Sequence, residues 1–206
     1  MKPIVSGVIG AAIALILLPI VVLLYLRFGS PPVAVRDKPF PFEKQIVKIP
    51  LHARFNRDEP KFCPLPVNDA NLIAGAQIYK MKCAVCHGFK KVQSGIGPNM
   101  YPPAPNLWRK HGRDRVGVSH NPVGETFWKV DNGIRLTGMP SFSTLLTEAQ
   151  MWQVSMLLAN ANKPLPPEAD QLVTQPKMAS KTQTTPQNSK GSHRALGPAV
   201  TKQHGK

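Results

Sequence analysis

Cys83-Ala84-Val85-Cys86-His87 is the stretch from which the fold and chemistry of this chain can be argued. One turn of helix brings residues i, i+3 and i+4 to the same side, so Cys83, Cys86 and His87 can face one flat group. Two thiols at this spacing can add to the two vinyl groups of a haem, and the following histidine can bind the iron. The motif therefore predicts one covalently attached haem c, with His87 as the proximal axial ligand.

Zinc binding is the main alternative for a Cys-x-x-Cys pair. A structural zinc site needs about four ligands, usually arranged as two separated pairs. The only other cysteine is Cys63, and the sequence offers no second cysteine or histidine pair at a suitable spacing. The histidine that directly follows Cys86 also favours haem attachment.

A second signal lies downstream, in a loop-forming run over residues 132–140. There Gly138 and Pro140 flank Met139, and this pair of residue types favours a rigid loop. A thioether sulfur suits low-spin haem iron and raises its reduction potential. Met139 is therefore the predicted distal ligand.

Other side chains compete for the distal position. Met100 is the rival methionine, although its place close behind His87 requires a tight path around the haem edge. His111 and His120 are lesser rivals that would give an iron with two histidine ligands. A methionine packed in a core, with no contact to iron, is the commoner situation for this residue type.

The periodicity of the surrounding sequence predicts an all-α domain with sparse β-structure. Asp69 and Asn71 are candidate N-caps for a helix that reaches the cysteine pair. A short helix is expected over residues 124–131, and Thr147 and Gln150 form a capping box that opens a last, broadly apolar helix. About ninety residues make only a small core, so a covalently held haem would supply much of the interior.

One glycine in the first helix of this domain needs an explanation. Leu72, Ala76 and Tyr79 recur at helical spacing around Gly75. A glycine inside a helix costs about 1 kcal/mol relative to alanine. We therefore expect a packing reason, which a close helix crossing beneath Tyr79 would supply.

These features together resemble the class I c-type cytochromes. Residues 132–142 resemble the distal loop of that family with very few departures. The motif at residues 83–87, preceded by Gly75 and Tyr79, resembles its first helix, and Trp152 resembles a residue of its last helix. The resemblance implies a small helical haem domain and the same proximal and distal ligands that the residues suggest.

The resemblance covers about residues 71–166, under half of the chain. It implies that a proline carbonyl accepts the proton on the second imidazole nitrogen of His87, and both Pro98 and Pro105 fit that role. The family usually carries an aromatic residue five positions after the tryptophan of the last helix. This chain has Leu157 there, so an aliphatic contact with the first helix is expected.

The N-terminus has the composition of a membrane span. Residues 3–26 carry no charge and consist mostly of Ile, Leu, Val and Ala, and at about 1.5 Å per residue a helix of this length crosses a bilayer. We therefore predict a transmembrane anchor over residues 1–28. A cleaved signal peptide is the alternative, but its apolar core would be only about 7–15 residues long.

The predicted haem sets the orientation of the anchor. Lys2 and Arg27 flank the span and do not decide the orientation by themselves. The resemblance implies that haem is attached outside the cytoplasmic membrane of a bacterium. For a bacterial source, we therefore expect a single-pass inner-membrane protein with a cytoplasmic N-terminus and a periplasmic haem domain.

Composition divides the rest of the chain. Residues 29–68 form a Pro-rich connector without clear periodicity, interpreted as a tether that partly wraps the haem domain at residues 69–166. Residues 167–206 form a basic tail that is predicted to be disordered. Cys63 in the connector is expected to be a small buried thiol, and an intermolecular disulfide or a lipid site are the alternatives.

The net charge of +15 has two possible meanings. It can serve solubility and attraction to lipid, or it can steer an acidic redox partner towards an exposed haem edge. The sequence contains no nucleic-acid-binding motif. The basic residues that could form a docking ring are Lys80, Lys82, Lys90, Lys91, Arg109, Lys110, Arg113 and Arg115.

The combined prediction is a membrane-tethered monohaem electron carrier and not an enzyme. Ligation by His87 and Met139 would leave no open site for a small-molecule substrate, so electrons would pass by outer-sphere transfer. The expected partners are redox proteins or a membrane respiratory complex. A peroxidase-like enzyme and a gas-binding haem sensor are the alternatives, because both need an open or labile distal position.

Overall fold

The computed structural model describes the backbone of residues 2–174, so the predicted tail beyond residue 174 lies outside the described residues. The chain is mostly helical, which confirms the predicted fold class. The α-helices are α1 (Lys2–Phe28), α2 (Glu43–Asp58), α3 (Asp69–Ile78), α4 (Ala84–His87), α5 (Val123–Asn132), α6 (Glu148–Ala159) and α7 (Pro167–Thr174).

Other regular structure within the described residues is short. A π-helical turn, Tyr79–Cys83, joins α3 to α4, and a 3₁₀ turn forms at Gly97–Asn99. Strands β1 (Lys110–His111) and β2 (Arg115–Val116) pair in antiparallel orientation, with Lys110 opposite Val116. The helix that reaches the cysteine pair is therefore built in three pieces, of which the middle one is wider than an α-helix.

The N-cap of α3 differs from the prediction. Asn68 caps the helix, and its side-chain oxygen accepts a hydrogen bond from the Asn71 amide at 2.9 Å. Asn68 has the extended backbone that an N-cap requires, whereas Asp69 and Asn71 already lie inside the helix. The prediction of Asp69 or Asn71 as the N-cap was therefore wrong, because the cap is the residue directly before Asp69.

A close crossing of α3 and α6 explains the helical glycine. A Cβ atom at Gly75 would lie 2.3 Å from the Gln153 carbonyl oxygen and 3.1 Å from the Leu157 Cβ. Leu157 is fully buried at this crossing, so the contact is aliphatic, as expected. The predicted packing reason for Gly75 is confirmed.

Helices α5 and α6 pack together and follow the predicted boundaries closely. Thr147 and Gln150 form the expected capping box at the start of α6. Phe127 of α5 stacks on Trp152 of α6, with ring centroids 4.0 Å apart. Helix α5 ends at Asn132, and Gly133 after it has the positive φ that is common just past a helix C-terminus.

The connector contains a helix that sequence periodicity did not indicate. Helix α2 is attached to the haem domain through Phe55, which is only 3% exposed. The Phe55 ring lies 6.5 Å from the Trp128 ring, and the Lys129 ammonium lies 4.6 Å from its centroid. Because only one apolar side chain of α2 is fully buried, the helix leaves almost no amphipathic pattern in the sequence.

The predicted disorder of the tail is wrong for its first residues. Helix α7 packs on the haem domain with Ala169 and Val173 fully buried. The Val173 carbonyl accepts a hydrogen bond from the Lys90 amide at 2.9 Å, and Asp170 forms an ion pair with the Lys90 side chain. These contacts order the helix against a surface that the haem domain already forms.

Helix α1 has the properties expected of the N-terminal segment. Its residues Ile4–Phe28 are long and apolar enough to cross a membrane, judged by length and composition. Its described side chains are all exposed, so they contribute nothing to the core of the haem domain. An exposed apolar surface of this size is typical of a membrane or protein contact.

Replacing Gly75 with alanine tests the helix crossing. The added Cβ would collide with the Gln153 carbonyl, so we expect the free energy of unfolding to fall by about 2 kcal/mol, even though alanine is the better helix former. Denaturant unfolding of the holoprotein in detergent, followed by circular dichroism, measures the change. Gly95→Ala is the control, because a Cβ there meets nothing within 4 Å. Equal stability of the two variants would contradict the close crossing.

Candidate haem site

A cavity of about 450 Å³ lies between the Cys-x-x-Cys-His segment, α5, α6 and the loops that follow α4 and α5. Its wall is mainly apolar, and the two helices and the loops contribute Leu107, Val130, Phe142, Val154 and Leu158. A flat, mostly apolar ligand is suited to a cavity with this wall. The side chains of chemical interest are arranged around this cavity.

The three predicted attachment residues line the cavity together. Cys83 closes the π-helical turn, while Cys86 and His87 stand on α4. Neither Cys83 nor Cys86 is in a disulfide. The bend from α3 to α4 therefore places two free thiols and an imidazole on the wall of the same cavity.

A hydrogen bond fixes the chemical state of His87. Its Nδ1 lies 2.7 Å from the Pro105 carbonyl oxygen, and because a carbonyl can only accept, Nδ1 carries the proton. Nε2 then keeps its lone pair for a metal ion. Burial lowers the pKa of His87, although the Pro105 bond acts in the opposite direction, so the ring is neutral at neutral pH.

The structure thus distinguishes the two prolines that the sequence left open. Pro105 lies in the cavity wall and contacts His87. Pro98 belongs to the 3₁₀ turn and lies outside the described wall of the cavity.

Burial also raises the pKa of the Cys83 thiol and of the phenol behind it. It raises the pKa of the Cys83 thiol to about 12, with a further contribution from Cys86, so the thiol is neutral at physiological pH. Burial raises the pKa of Tyr79 as well, and its hydroxyl donates a hydrogen bond to the Gly88 carbonyl at 2.7 Å. Tyr79 therefore connects the start of the π-helical turn to the residue after the motif histidine.

The loop after α5 brings Met139 to the cavity. The Met139 amide donates to the Thr137 hydroxyl at 3.1 Å, and that hydroxyl donates to the Ile134 carbonyl at 2.7 Å. The Ile134 amide returns a bond to the Met139 carbonyl at 3.2 Å. These three bonds hold the half-buried methionine in a closed loop.

Met100 reaches the same cavity from another loop. A Cβ at Gly138 would lie only 1.7 Å from the Met100 Cε, so the Met100 methyl occupies the place of a side chain at Gly138. His111 and His120 are exposed and lie outside the described cavity wall. The geometry therefore retains two methionines as distal candidates.

Other residues of the wall carried no motif in the sequence. Lys82 and Lys129 line the cavity, and Lys129 pairs with Glu125 of the same helix. An acid followed by a base four residues later is readable as a helix pair. The local sequence could not predict that Lys129 of this pair contacts the Phe55 ring of α2.

The chemistry of these donors fits a covalently attached haem. Two thiols and a neutral imidazole with a free Nε2 stand at one end of a mainly apolar cavity, and two thioether sulfurs stand on its wall. In residues 2–174, no three His, Cys, Asp or Glu side chains gather as a metal-binding group, so zinc lacks a ligand set there. Cys63 is half-buried against the core, with its thiol 3.6 Å from the Leu65 carbonyl.

Comparison with known protein families agrees with this geometry. Residues 70–156 match the family model described as cytochrome c oxidase, cbb3-type, subunit III. This part of the chain is thus a domain of a c-type cytochrome family, for which covalently bound haem c is implied. The match begins within α3 and ends within α6, so it does not include α1, α2 or α7. No curated protein and no solved structure gave a significant match.

The three cysteines allow a matched test of attachment. We expect Cys83→Ala and Cys86→Ala each to reduce the haem that stays bound after denaturation, because each removes one thioether. Cys63→Ala should leave bound haem at the wild-type level, since Cys63 lies outside the described cavity wall. Intact-protein mass and haem staining of denaturing gels measure the bound fraction. Loss of haem in Cys63→Ala alone would contradict the assignment.

Proposed function

We propose that this chain, whose residues 70–156 form a c-type cytochrome domain, is a membrane-tethered monohaem electron carrier of a bacterial respiratory chain. The supporting observation is one cavity that joins two thiols, an imidazole of fixed tautomer and a loop methionine. We assign Cys83 and Cys86 to the thioether bonds and His87 and Met139 to the axial positions. The haem supplies one-electron chemistry when bound.

The residues of the chain would hold the redox group and limit its reactivity. The Pro105 carbonyl orients the His87 ring, and the closed loop around Met139 keeps the sulfur in place. The apolar wall excludes water, which disfavours the more highly charged state of a buried redox centre. With both axial positions taken by side chains, we expect no substrate-binding position and hence no catalysis.

The anchor would place this domain at a membrane surface. We assign α1 to a single inner-membrane span, with a cytoplasmic N-terminus and a periplasmic haem domain. Tethering raises the effective concentration of the domain near other membrane proteins. The matched family model is named for subunit III of an oxidase, which supports a membrane redox complex as the partner.

Docking to such a partner would use the open side of the cavity. Lys82 and Val85 line the cavity and are both exposed. Lys90 is engaged with Asp170 and the Trp108 ring and is thus less available. Of the predicted basic ring, Lys82 is therefore the residue that we assign to steering of an acidic partner.

Paired methionine variants test the distal ligand. We expect Met139→Ala to abolish the weak red absorption band typical of methionine bound to ferric haem and to lower the reduction potential. Met100→Ala should keep the band and shift the potential less. Absorption spectroscopy and redox titration of the ferric protein measure both effects. Loss of the band in Met100→Ala, with retention in Met139→Ala, would reverse the assignment.

Ligand binding separates a carrier from an enzyme or a gas sensor. A carrier with two side-chain ligands is expected to be low-spin and to bind cyanide or carbon monoxide slowly. High-spin ferric iron and rapid binding in the wild-type protein would contradict the proposal. Met139→Ala is the positive control, because it opens the distal position.

A further inference from the structure

The first half of α2 carries an apolar stripe that the haem domain leaves uncovered. We define the apolar stripe as Phe42, which precedes the helix, together with Ile46 and Ile49. These side chains are 72%, 62% and 69% exposed, respectively. Ile46 and Ile49 are three residues apart and so lie on one face of α2, and Phe42 lies at the start of the helix. Three large apolar side chains in a row are more than the scattered single exposures of an ordinary surface.

The apolar stripe faces away from the contact that attaches α2 to the domain. Phe55 makes that contact, nine residues after Ile46, which at 3.6 residues per turn is about 180° around the helix. Pro50 lies between the two halves and interrupts the helical hydrogen bonding. The stripe therefore adds nothing to the folding core, and something outside the domain must cover it.

The charges around the apolar stripe are mainly positive. Arg36, Lys38, Lys44 and Lys48 lie in the same part of the chain. Two acidic residues also lie there, and both carboxylates already accept local backbone hydrogen bonds. Asp37 accepts from the Val33 and Ala34 amides, and Glu43 accepts from the Phe40 amide. Four basic and two acidic residues leave a net charge of +2 beside the stripe, which suits an anionic surface.

A cleft beside α2 offers a second basic element. It measures about 720 Å³ and lies between residues 35–44 and the loop at residues 98–103. Arg36 and Lys44 both line it. Two cations at one concave site can hold a phosphate group, as in a lipid headgroup.

The short connection between α1 and α2 indicates what covers the apolar stripe. Helix α1 ends at Phe28, and only the short connector segment 29–42 separates it from α2. If α1 spans a bilayer, the apolar stripe is held close to the surface of that same bilayer. An amphipathic helix with basic flanks is the usual form of an interfacial membrane contact.

We propose that the first half of α2 lies in the interface of an anionic bilayer, with the apolar stripe among the upper acyl chains. Arg36, Lys44 and Lys48 would contact lipid phosphates, the two lysines through long side chains that extend from the face of α2 opposite Ile46. Because Phe55 attaches the other half of α2 to α5, this contact would also orient the haem domain relative to the membrane. The inference rests on the anchor in the proposed function, and it adds the lipid surface as a second partner.

Photo-crosslinking of the full chain tests the contact. A benzoylphenylalanine is placed at Ile46 or Ile49, and the holoprotein is reconstituted in vesicles of phosphatidylcholine alone or with added phosphatidylglycerol. Leu145 is the matched control position, because it is apolar, 59% exposed and part of the haem domain. Mass spectrometry then measures the fraction of chains that carry a lipid adduct.

We expect adducts at Ile46 and Ile49 that increase with phosphatidylglycerol, and few at Leu145. Removing a lysine that contacts the surface should weaken the interaction roughly fivefold, so Lys44→Gln/Lys48→Gln should reduce the adducts several-fold. Lys91→Gln/Lys110→Gln, which keeps the same net charge as that variant, should not. Adducts that are absent, equal at Leu145 or independent of anionic lipid would overturn the proposal. In native membranes, adducts to protein in place of lipid would overturn it in favour of a protein partner.

Two further readouts on the same samples separate this proposal from the proposed function. Resistance of the chain to alkaline extraction reports on the anchor, and covalent haem absorbance reports on the redox site. If the chain is extracted or colourless, the proposed function fails whatever the adducts show. If it is retained and coloured but forms no lipid adducts at Ile46 and Ile49, only the interfacial contact fails.

Discussion

The close contact between Gly75 and the backbone of Gln153 sets the geometry on which the haem site depends. It fixes the distance between α3 and α6. Helix α3 leads through the π-helical turn into the attachment motif, while α6 presents Val154 and Leu158 to the same cavity. A side chain at position 75 would push these two walls apart. The absence of a Cβ at Gly75 therefore lets α3 and α6 approach closely enough to set the width of the cavity that both thiols and the imidazole line.

The cavity is large for so small a domain, so a group that fills it would become part of the core. An apolar wall of this extent forfeits packing contacts wherever no atoms face it. A filling group recovers those contacts. The proposed covalent attachment through Cys83 and Cys86 would make that filling permanent, so stability would not vary with free haem concentration.

Sequence reasoning succeeded where a feature is local. The capping box at Thr147 and the end of α5 depend on residues within a few positions of one another. The choice between Pro98 and Pro105 could not be made in this way, because both prolines follow the histidine in similar loops and only the path of the chain separates them. Helix α2 was missed for a related reason. Its one buried side chain meets a partner more than seventy residues away, and its exposed stripe interrupts the expected pattern.

Helices α2 and α7 lie outside the region that the family model matches, and each contacts a segment next to the haem site. Helix α7 holds the segment just after the motif, because Lys90 bonds to Val173 and Asp170 and its ammonium lies 5.3 Å from the Trp108 ring centroid. Helix α2 holds α5 through Phe55, and α5 leads directly into the loop of Met139. Each added helix thus restrains one of the two segments that carry the assigned axial ligands. A carrier benefits from such restraint, since an iron whose ligands keep their positions in both oxidation states exchanges electrons with little rearrangement. The same restraint in α2 would transmit any contact of its exposed half with a membrane to the orientation of the haem domain.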